Sequence, residues 1–132
     1  MRTLLLASCL SLAACSSREY TLPPLPRVSR ADLTGHSAQV LRSIADPAVL
    51  AEITAFVEQR RSGWREGFPV TAVPSLHILF YDGDTQVGNF GIGSGFFESM
   101  LAMGVWVERS ATHSEEQQIL ELIEMRDYDL NK

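Results

Sequence analysis

The sequence predicts an α+β fold: a small antiparallel sheet with two main amphipathic helices packed on one side. Three observations carry this expectation. Residues 47–61 repeat apolar side chains at helical spacing behind a capping aspartate, and residues 115–126 do so with an acidic first turn. Between them, strand-like runs within 75–92 flank Asp82-Gly83-Asp84, a strong hairpin signal. The length, 132 residues, suits one domain, and a hydrophobic content of 45% excludes a long disordered chain. Two cysteines are too few for a disulfide scaffold, and a net charge of −5 argues against nucleic acid as a partner.

The elements follow in chain order within a body expected over residues 27–132. Arg27 to Leu33 and Ala38 to Ile44 alternate weakly and read as strands, the second with a helix as alternative. Asp46-Pro47 then sets a capping side chain before a proline at the first helical position. Val49, Leu50, Ile53, Phe56 and Val57 give that helix one apolar face, with Arg60 and Arg61 where its dipole favours cations. Gly63 closes it, and Trp64 folds back to cover it. Pro69 and Pro74 bracket a loop. In the run to Tyr81, Ile78 and Phe80 share one face while Leu79 and Tyr81 share the other, as in an inner strand covered on both sides. Gly88 or Gly91 marks a bulge in the returning strand. Phe97, Met100 and Leu101 suggest a short helix ending near Gly104, and Val105 to Val107 a further strand. Ser114 with Gln117 reads as a capping box for the last helix, which buries Ile119, Leu120, Leu122 and Ile123.

The beginning of the chain has a different character. Arg2 is followed by an uncharged apolar run from Leu4 to Ala14. As a helix those residues reach about 16 Å, roughly half the hydrocarbon thickness, too short to span a bilayer. A basic start, a short apolar stretch and small residues at its end make residues 1–14 a secretory signal peptide. Leu12-Ala13-Ala14-Cys15 resembles the lipobox of bacterial lipoproteins. The resemblance implies cleavage before Cys15, a thioether-linked diacylglycerol on its sulfur and an acylated new amino terminus. Leu6-Ala7-Ser8-Cys9 matches the same four-residue pattern, but its apolar lead-in is too short for export. By the sorting rule of the lipoproteins it resembles, Ser16, rather than aspartate, after the lipidated cysteine implies transfer to the outer membrane of a two-membrane bacterium. Two acyl chains make a durable anchor, at about 0.8 kcal/mol per buried methylene. After it, Ser16 to Pro26 contains Pro23, Pro24 and Pro26 and reads as an extended spacer of roughly 34 Å.

Chemistry-bearing residues are sparse. His36, His77 and His113 do not stand at metal-ligand spacing, and no metal or cofactor is expected. Gly91-Ile92-Gly93-Ser94-Gly95 invites comparison with a phosphate cradle, but it lacks the dinucleotide spacing and the Walker lysine; a tight turn is the plainer reading. Asp82-Gly83-Asp84 lacks the further oxygen ligands of a calcium loop. No Gly-x-Ser-x-Gly elbow occurs, and lipidation of Cys15 with loss of Cys9 would leave no thiol nucleophile.

The densest apolar stretch, Phe96 to Val107, is either core or a partner surface. Phe96, Phe97 and Trp106, joined by Trp64 and Tyr81, are the candidate contact residues. Removing Arg2 from the 11 basic residues leaves 10 against 16 acidic, a balance of −6 that repels an anionic bilayer. The expected protein is therefore an outer-membrane lipoprotein, its body facing the periplasm as a binding module for another envelope protein or a small ligand. Two alternatives belong to other classes. A small periplasmic hydrolase would bring His77 and a carboxylate such as Glu98 into one pocket, and a protective inhibitor or immunity protein would present an acidic face.

Overall fold

The computed structural model describes residues 18–67, 73–101 and 104–132. The leader, Cys15 and Pro69 thus fall outside the described residues. Among those described, one antiparallel sheet is built from β1 (Glu19–Tyr20), β2 (Arg30–Thr34), β3 (Val40–Ile44), β4 (Trp64–Glu66), β5 (Leu76–Asp82), β6 (Thr85–Gly93), β7 (Phe96–Met100) and β8 (Trp106–Ser110). Their order across the sheet is β1-β4-β8-β7-β6-β5-β2-β3. Two helices complete the fold, α1 (Pro47–Glu58) and α2 (His113–Leu122). The mixed α+β class is as expected, but the molecule is mostly sheet.

Strand alternation sorts the side chains onto two faces. Leu76, Ile78 and Phe80 of β5 are buried, while His77 and Leu79 and Tyr81 are only half-buried on the other side. β5 is an inner strand between β2 and β6, with its second face less covered than expected. Phe90 and Ile92 of β6, Phe97 of β7 and Val107 of β8 continue the buried face. The β5–β6 turn pairs Asp82 with Thr85 around Gly83, whose φ of 60° suits the first position of a type II′ turn. The bulge falls at Val87, beside Gly88, where Phe80 pairs with Gly88 and Tyr81 with Gln86.

Both helices cover the buried face. Phe56 of α1 meets Phe90 and Phe97 edge-on, with ring centroids 6.1 and 5.8 Å away. Ile119 and Leu120 of α2 join the same core. The Asp46 side chain caps α1 by accepting from the Ala48 and Val49 N–H groups. That helix stops at Glu58 rather than 61, and Arg60 returns its guanidinium to the Phe56 carbonyl at 2.8 Å. Past the left-handed Gly63 the chain reverses, and Trp64 buries itself against Phe90 with its indole N–H donated to the Arg60 carbonyl.

The second helix begins two residues earlier than expected. Its capping box joins Thr112 to Glu115, not Ser114 to Gln117, and its end comes at Leu122 because Glu124 adopts a left-handed φ of 56°. The short helix expected at Phe97 to Leu101 is instead strand β7. Gly95, with φ 83°, turns the chain straight back from β6, and Phe97 pairs with Ile92 and Arg109.

Residues 18–26, expected as spacer, lie against the body. Glu19 and Tyr20 pair with β4, and Leu22 is buried. Leu22 and Arg61 are joined twice: the Leu22 N–H donates to the Arg61 carbonyl, and the Arg61 Nε–H to the Leu22 carbonyl, both at 2.8 Å. The Leu25 N–H donates to the Glu58 carboxylate at 2.6 Å, and its side chain packs on Gly88 so closely that a Cβ there would lie 2.6 Å away. The prolines hold this strap extended alongside α1 until Ser29 donates its N–H to Tyr81.

Candidate functional site

The face away from the helices carries a row of titratable residues. One rung crosses it from Thr34 through His77, Gly91, Glu98, Glu108 and Arg65 to Glu19. Glu98 and Glu108 are direct cross-strand partners, an arrangement in which like charges oppose each other. Burial, and then the Glu108 carboxylate, push Glu98 above the usual carboxylate range. Glu108 has its Oε1 buried without a hydrogen-bond partner among the described residues, and Gly67 backs against its carboxylate. A cleft of about 670 Å³ opens beside it, lined by Arg65, Glu66, Phe96, Glu108, Arg109 and Ser110 among others. The cleft is mixed in charge, since the Arg109 Nη1 is likewise buried without a partner among the described residues.

His77 and Glu98 do share this rung, but Gly91 stands between them and Pro74 covers that glycine. Two strand spacings, about 9.6 Å, separate their backbones, and no hydrogen bond joins them. Burial, and then His36, hold His77 below its ordinary value, so it is a neutral imidazole near neutral pH. His36 itself is tied to the Lys132 carbonyl through Nε2 at 2.7 Å, and His113 is exposed at the start of α2.

The glycine run is a hairpin, with β7 rather than a helix behind it. Its turn is already engaged: the Gly95 N–H donates to the Glu116 carboxylate, and the Phe96 ring lies over Gly93. The anion at this turn is therefore the chain's own. Nothing in the sequence spacing linked Glu116 to Gly95, because the contact depends on how α2 docks.

The five aromatic residues expected as a contact surface divide between the faces. Trp64 and Phe97 are fully buried, which assigns them to the core and corrects the expectation of a contact role. Tyr81, Phe96 and Trp106 lie on the open face, yet they are dispersed. Tyr81 is three strands from Trp106 and holds the Arg30 guanidinium over its ring, at 4.4 Å. Phe96 and Trp106 occupy opposite ends of the β7–β8 ladder. Trp106 instead pairs with Met100, and the two are 46% and 41% exposed. Sequence reasoning missed Met100 as a surface residue by placing it in a helix; the alternation Phe96, Glu98, Met100 was the available signal.

No cluster of three or more histidine, cysteine or carboxylate residues suited to a metal occurs among the described residues. Comparison with protein-family models, with curated proteins and with solved structures finds no match to this chain.

Proposed function

We propose that this chain is an envelope lipoprotein, anchored through a diacylglycerol on Cys15 to the outer membrane, whose body is a binding module on the periplasmic side. The observation that carries the reading is Leu12-Ala13-Ala14-Cys15 at the end of a short apolar run behind Arg2. Among the described residues, the first buried member of the core is Leu22. No described helix is long and apolar enough to cross a membrane. The binding role rests on the open face, where a carboxylate pair lies beside a cleft of mixed charge that Phe96 borders, and Trp106 is exposed.

The anchor is tested by growing a two-membrane bacterium that makes the chain with radiolabelled palmitate. Wild-type protein takes up label and sediments with outer membranes, whereas Cys15→Ser is unlabelled and leaves that fraction. An unlabelled wild-type protein refutes the anchor. The acid excess favours a narrower form, neutralisation of a basic partner: residues 113–132 carry six carboxylates against Arg126 and Lys132. Binding of a basic protein that weakens steeply with salt would support it.

A further inference from the structure

We propose that the corner of the sheet formed by Trp106 and Met100 rests in the headgroup interface of the bilayer that holds Cys15. This inference rests on the lipid anchor proposed above and adds which surface faces the membrane.

The direction of β1 decides which corner it is. Glu19 pairs with Arg65 and Tyr20 with Trp64, while Arg65 pairs with Glu108 and Glu66 with Val107. Moving backwards from Glu19, the chain therefore heads towards the Glu66 end of β4. There the Gly67 N–H donates to the Trp106 carbonyl, so Trp106 marks the same end of the sheet. The anchor point is three residues before Arg18. At no more than about 3.6 Å per residue, Cys15 lies within roughly 11 Å of Arg18. Trp106 is two strand spacings from β1, about 10 Å. Leash and lateral distance are thus equal in scale, and one headgroup layer is only about 5 to 7.5 Å thick. The body has too little slack to stand clear of the lipid.

The side chains at this corner suit that position. The exposed indole of Trp106 joins an apolar ring to a polar N–H, the combination enriched at membrane interfaces, and Met100 adds apolar surface beside it. Arg18, whose guanidinium lies 5.4 Å from the Tyr20 ring centroid, and exposed Arg65 supply cations for lipid phosphates. Glu19 and Glu66 flank them, so the corner is mixed in charge, unlike the acidic α2 and tail. Asp82 and Asp84 occupy the β5–β6 turn, three residues or about 10 Å past the Leu79–Asn89–Met100–Trp106 level at the same end, so the Trp106 corner rests on lipid with the sheet tilted and that anionic turn raised. A short leash thereby overrides the long-range repulsion expected from net charge.

The test uses the acylated full-length protein in vesicles of phosphatidylethanolamine and phosphatidylglycerol, some with acyl chains brominated near the glycerol. The chain has two tryptophans, and Trp64 is fully buried, so Trp106→Phe supplies the background. We expect brominated lipid to remove roughly half of the Trp106 emission, as for a ring at headgroup level. Protein that floats with the vesicles while Trp106 stays unquenched, and open to iodide, overturns the orientation but leaves the anchor intact. Protein that carries no acyl mass at Cys15 and does not float overturns the anchor and the orientation with it. Shielding of Trp106 that appears only with an added envelope protein assigns the corner to a protein partner, against this proposal.

Discussion

At the scale of single residues, stability is set by a few contacts that no local pattern announces. The Phe96 ring lies over Gly93, where a Cβ would come within 2.2 Å of it. Gly93→Ala should therefore cost about 1–3 kcal/mol, read as a lower urea midpoint at unchanged slope. Glu115 shows how opposing causes are weighed. Burial alone would raise its carboxyl, but the Thr112 N–H, Arg60 and Arg109 outweigh it and hold the group low. A lowered carboxylate contributes stability above its unfolded value that is lost as pH falls. Glu115→Gln keeps an oxygen for the Thr112 N–H but loses the charge that Arg60 and Arg109 face, so it should destabilise at pH 7 by up to about 1 kcal/mol and flatten the acid limb of the stability profile. Glu98 behaves in the opposite sense: raised by burial and then by Glu108, it favours the folded state when protonated. Stability should decline as pH rises above about 4.5, its ordinary value, and Glu98→Gln should remove that decline. Denaturant titrations across pH separate the two carboxylates. Neither effect was legible in the sequence, since Glu98 and Glu108 meet only through strand register.

At the scale of elements, the sequence revealed those whose signals are local. Asp46-Pro47 marked the start of α1, and Asp82-Gly83-Asp84 the β5–β6 turn, because a cap and a two-residue turn are decided by adjacent residues. β7 was misread because Phe97, Met100 and Leu101 also fit a helical face, and only its ladders to β6 and β8 choose between the two periods. Arg60 fell past the end of α1, yet it still serves the Phe56 carbonyl and bonds Glu115 at 3.0 Å, clamping the helices together. The strap was read as a free spacer because proline-rich chain looks the same whether solvated or docked. Its docking depends on Leu22 and Leu25. Leu22→Ser should loosen it, and trypsin should then cut after Arg27 at least tenfold faster while cleavage in the sheet is unchanged, given a loss of about 1.4 kcal/mol or more. Equal rates would show that Leu22 does not hold the strap.

At the scale of the molecule, the fold class was legible but the size of the sheet was not. Two short strands account for much of the difference. β1 and β4 have two and three residues, too few for a periodic signal, and are held by pairing across distant sequence. β2 likewise inserts beside β5, pairing Ala31 with Phe80 and Leu33 with Ile78. Such non-local pairing must meet loop-closure entropy before any ladder forms. Folding should therefore take milliseconds to seconds in stopped-flow measurements, rather than the microseconds typical of helical bundles. The open face posed the same difficulty, since the rung linking His77 to Glu108 spans four strands and exists only once their order is set.

The docked strap also gives the protein a mechanical character on the lipid-anchored reading. A pull between the membrane and a bound partner enters at Glu19, along the axis of β1. Its two rungs with β4 carry the load first, in shear, followed by the paired Leu22–Arg61 bonds. Once these yield, residues 19–29 come free while β2 to β8 stay closed, a released segment with a contour of roughly 34 Å at the spacing of proline-rich chain. The extended reach suggested by the prolines is then held in reserve, and tension releases it.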